Sequence, residues 1–319
     1  MASIQKELIS SQIPYVFPSN SPIWKTSIWV VSIGVCYFLM VNISVFLFDI
    51  PNVNITAFWP LNGIYAASLL MSPRPLWKYI IAVIFLANGL GNFSLGHDWL
   101  LSSGFAVANV VEGGLIAYLY LQWNKSNNAL GSFKSFFIFL GAVTFSTGIG
   151  SVLGAINLSN AFGWNLFWGF FKSWFAADTL GNCLMLAVIL SWNDKHLSLV
   201  NLKPIQILGS IALAISTIGL SIVVFSQSSE NGIIPLNYLV FPLLIWAALQ
   251  FEVKGASLTA FIIAFIAHWF TIHGKGPFTI YGASTQDYIF WLQDYLVIMF
   301  MTAITLAIAV VERKKVEKT

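Results

Sequence analysis

Eight side chains draw attention because each lies in a stretch that is otherwise apolar: Asn92, Glu112, Lys172, Trp174, Asp178, Asn182, His268 and Asp294. An ammonium or carboxylate at the centre of a bilayer costs about 2.5–3.5 kcal/mol each on insertion scales. A chain that carries several holds them for a pairing, a pathway or a binding site. Trp174, Asp178 and Asn182 follow one another at i, i+4 and i+8, which puts an indole N–H, an acid and an amide on one face of a helix. Such a face can hydrogen-bond a small polar ligand, or it can neutralise polar neighbours inside a helix bundle. Both readings stay open from the residues alone.

The elements that position these groups follow from composition. Of 319 residues, 58% are hydrophobic, 16% aromatic and 8% charged, against about 25% charged in an ordinary soluble domain. A soluble globule so poor in charge would expose large apolar patches and aggregate. Roughly 20 apolar residues span a bilayer, and ten segments approach that pattern: 24–48, 58–73, 76–95, 100–121, 133–157, 165–192, 205–226, 236–251, 255–273 and 285–311. The expected fold is all-α, a polytopic transmembrane helix bundle of about ten helices. The second and eighth segments are short, and each opens with proline in its first turn (Pro60, Pro242). If those two are re-entrant, eight full crossings remain.

The positive-inside rule supports the count of ten. With a cytoplasmic N-terminus and strict alternation, 13 of the 15 Lys and Arg residues fall inside: Lys6, Lys25, Arg74, Lys78, Lys125, Lys134, Lys195, Lys203, Lys254, Arg313, Lys314, Lys315 and Lys318. Only Lys275 falls in an outer loop, and Lys172 is intramembrane. The outer loops carry Asp49, His97, Asp98, Glu230 and Asp287. Both termini are therefore expected in the cytoplasm. Trp59, Trp99, Trp164, Trp168, Trp174, Trp269 and Trp291 fall toward the outer ends and Trp24, Trp77, Trp123 and Trp192 toward the inner ends, as aromatic belts do. The expected organisation is a tail over 1–23, one membrane domain over 24–311 and a charged tail over 312–319.

On this scheme Glu112 is near the midplane. Asp178 lies roughly 9 Å below Lys172, and it shares the outer half with His268 and Asp294, while Asn92 is near the outer end of its helix. The expectation is a polar cavity open to the outside, floored by Glu112 and lined by Lys172, Trp174, Asp178, Asn182, His268 and Asp294, with Asn92 close by. The alternative is a set of structural pairs; for His268 that means a hydrogen bond near the interface, and for Lys172 a side chain that snorkels outward.

Several classes are disfavoured. No Walker loop, Gly-x-Ser-x-Gly elbow, His-Glu-x-x-His motif or cysteine cluster occurs, so no enzyme template, metal site or cofactor is expected. Cys36 and Cys183 read as small core residues. No basic stripe is left over for nucleic acid. The N-terminal stretch lacks the apolar core of a signal peptide, so the first apolar segment is expected to be an uncleaved anchor. Gly89-x-Gly91, Gly113-Gly114 and Gly148-x-Gly150-x-x-x-Gly154 permit close helix approach.

Three motifs in order carry a resemblance. They are Phe58-Trp59-Pro60-Leu61-Asn62-Gly63; Trp174-Phe175-Ala176-Ala177-Asp178-Thr179-Leu180-Gly181-Asn182; and Phe241-Pro242-Leu243 through Phe251, followed by Gly255-Ala256 and Gly274-Lys275-Gly276-Pro277-Phe278. Together they resemble the membrane-associated sensor family of type one, the MASE group of bacterial integral membrane sensory domains, over about residues 24–315. The resemblance implies a sensory input domain of the bacterial inner membrane, ahead of a histidine kinase, diguanylate cyclase or phosphodiesterase output. It supplies no ligand and no binding residues. After Glu312-Arg313-Lys314-Lys315-Val316-Glu317-Lys318-Thr319 the sequence ends, where a helix into an output domain would begin. The expectation is a truncated chain or a stand-alone protein that signals through a partner.

The leading expectation is a sensor of an external small ligand or membrane stimulus, relayed through the last helix. A solute transporter or channel-like protein and a membrane scaffold subunit are the rivals. The partners expected are the lipid bilayer, an output domain in cis or in trans, and a second copy of the chain.

Overall fold

The computed structural model describes residues 22–50, 55–125, 130–193, 204–227, 236–280 and 284–317. Most of the N-terminal tail, with Lys6, lies outside the described residues, as do Lys195, Lys203, Glu230 and Lys318. Nine α-helices are described: α1 (Ile23–Phe48), α2 (Leu61–Leu70), α3 (Trp77–Ser94), α4 (Trp99–Trp123), α5 (Phe133–Phe162), α6 (Phe167–Asn193), α7 (Pro204–Phe225), α8 (Phe241–Ile272) and α9 (Thr285–Val316). Eight apolar helical spans among the described residues are long enough to cross a membrane. The protein is a multi-pass membrane protein built of helices.

The chain gathers into two compact units. The first holds Met1–Leu47, Phe58–Asn127 and Phe137–Ile189; the second holds Phe48–Ala57, Asn128–Phe136 and Leu190–Thr319.

In the first unit, side-chain contacts fix the direction of every helix. Gly34 faces Val83, and Gly91 faces Val41, so residue numbers rise together and α1 runs parallel to α3. The segment between them must therefore return across the membrane. Trp29 on α1 donates to Ser72, and Tyr37 to Asn62, so α2 is antiparallel to α1 and makes that return. Ten residues at about 1.5 Å each reach only about 15 Å, half of a hydrocarbon core of about 30 Å. Residues 58–60 precede α2 without being helical, and their non-helical backbone is buried in protein: Phe58 is 0% and Trp59 8% exposed. That is where irregular backbone is tolerated at membrane depth. Pro60 sits at the N-cap of α2, where it has no N–H to lose.

The remaining helices alternate in the same way. Asn157 on α5 meets Gly104 and donates to Leu101 O on α4, while Thr147 on α5 reaches Glu112, so α4 and α5 are antiparallel. Phe105 packs on Trp174, and Asn182 bonds Glu112, so α4 and α6 are parallel. Asp98 caps α4 by accepting from Leu101 N at 2.8 Å.

In the second unit, α8 folds back on itself. The Tyr295 hydroxyl donates to Asn237 O, and its ring lies 5.2 Å from that of Phe278. A straight helix would hold residues 237 and 278 about 60 Å apart; here both reach the same tyrosine. The reversal falls at Glu252, whose φ of 55° and ψ of −145° are non-helical. The segments 236–251 and 255–273 thus correspond to the two arms of α8, the first preceded by a 3-10 turn over Leu236–Val240, joined where the charged triplet Glu252-Val253-Lys254 stands. With α2 as a return and α8 as two arms, ten traversals result, matching the count that the charge split demands. The capping box of Ser284 and Asp287 starts α9, which extends through the charged run to Val316.

Candidate functional site

Every helix of the first unit sends a polar side chain to one buried centre. Asn92 Nδ2 donates to Asn88 Oδ1 (3.0 Å), Asn88 Nδ2 to the Tyr37 hydroxyl (3.2 Å), and Tyr37 in turn to Asn62 Oδ1 (3.1 Å). Asn62 Nδ2 serves two acceptors, Asn109 Oδ1 at 2.8 Å and Asp178 Oδ2 at 3.3 Å. Trp59 Nε1 also donates to Asn109 Oδ1 (3.1 Å). Four residues along α6 from Asp178, Asn182 Nδ2 donates to Glu112 Oε1 (2.7 Å), which also accepts from Thr147 Oγ1 (3.2 Å). These bonds link α3, α1, α2, α4, α6 and α5.

Close packing sets the register of this centre. A Cβ on Gly181 would lie 2.4 Å from Trp59 O, so only glycine lets α6 approach the backbone that leads into α2. A Cβ on Gly150 would lie 2.1 Å from Glu112 Oε2. The glycine pattern in α5 therefore leaves the room that a carboxylate on α4 fills. Trp174 lies against Gly154 in the same way and is 8% exposed.

The electrostatics are one-sided. Glu112 and Asn182 are 0% exposed and Asp178 4%. The two carboxyls are close enough to interact electrostatically. The salt bridges among the described residues lie elsewhere, between Arg313 and Glu317 and between Lys314 and Glu252; the acids of the centre have neutral amide and hydroxyl donors. Glu112 Oε2, Asn182 Oδ1 and Trp174 Nε1 are buried with no hydrogen-bond partner. A buried polar atom left unpaired costs about 1–3 kcal/mol. The hydrogen bonds of good geometry thus leave two acceptors and one donor of this centre unused, the indole standing beside both carboxyls.

Of the residues singled out in the sequence, Glu112, Asp178 and Asn182 meet directly, Trp174 stands beside them, and Asn92 closes the far end of the network. Lys172 is exposed on α6. His268 and Asp294 belong to the second unit. His268 is fully buried, with Nδ1 2.8 Å from Ala264 O and its ring edge-on to Phe48, and Asp294 is exposed on α9. Sequence reasoning missed Tyr37, Asn62, Asn88, Asn109 and Thr147 as members of the network. Two signals were present: Asn88 is one turn from Asn92, and Asn109 one turn from Glu112, each at helical neighbour spacing.

No curated protein and no solved structure matches the chain. A family model does, and its match takes in every residue of the buried centre. That match, MASE1, runs over residues 29–314, nearly the whole chain, and the protein belongs to the MASE1 family of membrane sensory domains.

Proposed function

We propose that this chain is the signal-input part of a bacterial inner-membrane sensory system. An external small polar ligand binds at the Glu112–Asp178–Asn182 centre, with Trp174 as its indole donor and Asn92 at the far end of the supporting network. The change passes through α9 to a cytoplasmic output, a kinase, diguanylate cyclase or phosphodiesterase, in cis or in trans. MASE1 domains usually sit with such signalling domains. The observation that carries this reading is the pair of buried carboxyls with three unpartnered polar atoms around them. Lys172, exposed, and His268 and Asp294, in the second unit, are left out of it.

A ligand shifts a conformational equilibrium only by its differential affinity for the two states. In the first unit Glu112 and Asn182 bond across α4, α5 and α6, and α4 and α6 also carry Asn109 and Asp178, which Asn62 ties to α2 and, through Tyr37 and Asn88, to α1 and α3. The cytoplasmic end of α9 is itself tied down: Lys314 Nζ donates to Glu252 Oε1 (2.7 Å), Glu312 Oε1 accepts from Phe133 N (3.3 Å), and Lys315 Nζ donates to Gly131 O (3.1 Å). These ties are the contacts that a moving α9 would exchange.

The test couples the chain to a cyclase or kinase output and compares wild type with Asp178→Asn. The expected outcome is a variant that inserts and accumulates as wild type does but whose output no longer responds to the stimulus. A full response from Asp178→Asn at wild-type abundance contradicts the assignment.

A transporter is the second reading, supported by the broken return crossing of 58–60 and α2, since discontinuous helices form substrate sites in transport folds. It predicts solute flux into proteoliposomes that loses its proton coupling in Glu112→Gln. A sensor carries no flux.

A further inference from the structure

In the second unit, α7 and the two arms of α8 enclose a cavity of about 150 Å³, lined in part by Trp192, Ser210, Thr217, Phe251 and Lys254. Three features distinguish it from a packing defect. Lys254 is only 6% exposed although it is a lysine, and its ammonium lies 6.0 Å from the ring of Trp192. Thr217 is 1% exposed, and its hydroxyl has no hydrogen-bond partner. The outer flank of α7 beside the cavity is apolar and uncovered, with Leu208, Ile211 and Ile215 all exposed, so the approach is lateral, from lipid.

Position supplies the charge argument. Lys254 stands two residues from the Glu252 reversal, at the end of the bundle where the basic residues concentrate. Positive residues concentrate on the cytoplasmic side, and the cytoplasmic leaflet presents anionic headgroups, each basic residue near it contributing about 1 kcal/mol of attraction. A cavity of this volume accommodates a group the size of benzene, which is a segment of one acyl chain and not a whole lipid.

We propose that this cavity binds an anionic phospholipid of the cytoplasmic leaflet. The phosphate sits at the Lys254 ammonium, the Thr217 hydroxyl donates to an ester carbonyl, and the start of one acyl chain fills the apolar remainder; the Ser210 hydroxyl, which donates to Ile207 O at 2.8 Å, only lines the wall. The lipid would lie between α7 and the hinge of α8, beside the residue that holds Lys314. It would thereby adjust the tie on α9.

The experiment uses the full chain, purified and delipidated in neutral detergent, with phosphatidylglycerol, phosphatidylcholine or soluble glycerol phosphate added. Thermal unfolding and native mass spectrometry read stabilisation and retained lipid. Phosphatidylglycerol is expected to stabilise the protein and to be retained in preference to phosphatidylcholine, with no effect of glycerol phosphate. Lys254→Gln should weaken phosphatidylglycerol binding about fivefold, the loss of one such attraction, and leave phosphatidylcholine unchanged. Ala214→Leu fills the cavity with the lysine in place and should also remove the preference, so the test stands even if Lys254→Gln fails to fold. Equal effects of the two lipids, a preference that survives both substitutions, or a glycerol phosphate effect as large as the lipid's would overturn the proposal.

Discussion

Asn62 joins more of the buried centre than any ionisable residue does. Its amide donates to Asn109 and Asp178 and its carbonyl accepts from Tyr37. Asn62→Ala removes three bonds, and since hydrogen bonds between membrane helices average about 0.6 kcal/mol, a loss of about 2 kcal/mol is expected in thermal unfolding of the purified protein. Asp178→Asn keeps an oxygen for Asn62 and should unfold near the wild-type temperature. The opposite order would mean that Asp178, and not the amide network, holds the unit together. Glu112 and Asp178 were legible in the sequence because a charge in an apolar run is costly, but the same signal also drew in Lys172 and Asp294, which are exposed. The amides were not, because an asparagine in a membrane helix is cheaper, and its value depends on which five other helices bring it partners.

Backbone specialisations decide the elements. Glu252 has the only positive φ of a non-glycine residue among the described residues, a conformation that costs about 1–3 kcal/mol for a side chain with a Cβ. In an ordinary helix interior Gly is about 1 kcal/mol worse than Ala. Here Glu252→Gly is expected to be more stable than Glu252→Ala, because both lose the half-exposed pair with Lys314 and only alanine keeps the strain. Thermal unfolding of the two variants checks the reversed sign. At Gly181 an added Cβ meets backbone atoms at 2.4 and 2.5 Å, which cannot rotate away. Gly181→Ala should therefore cost about 1–3 kcal/mol, the usual range for overpacking, and a wild-type melting curve would refute the close approach. The reversal in α8 was readable from charges set between two apolar runs. The short second helix was readable from Pro60, but its non-helical lead was not, because Phe58 and Trp59 read as equally apolar in either conformation.

At the scale of the whole molecule, ten traversals follow from the charge split, and contacts within each unit agree with the alternation it requires: α2 runs against α1 in the first unit, and the two arms of α8 run against each other in the second. The count was legible because one miscounted crossing would invert the sidedness of every later lysine. The assembly of the centre was not, since hydropathy records depth and says nothing of which helices neighbour each other. The topology predicts that a membrane-impermeant thiol reagent, applied to intact cells, labels Gly96→Cys and leaves Arg74→Cys unlabelled in a cysteine-free background; labelling of both would remove the return crossing through α2. Whether the buried acids bind a ligand is read by thermal-shift screening of the purified protein against polyols, amines, amino acids and organic acids, with Asp178→Asn in parallel. A ligand at 100 times its dissociation constant stabilises by about 2.7 kcal/mol. At least one compound is expected to give such a shift in wild type and none in the variant. A shift of equal size in Asp178→Asn, or no shift from any class, would contradict it and leave the centre a structural network.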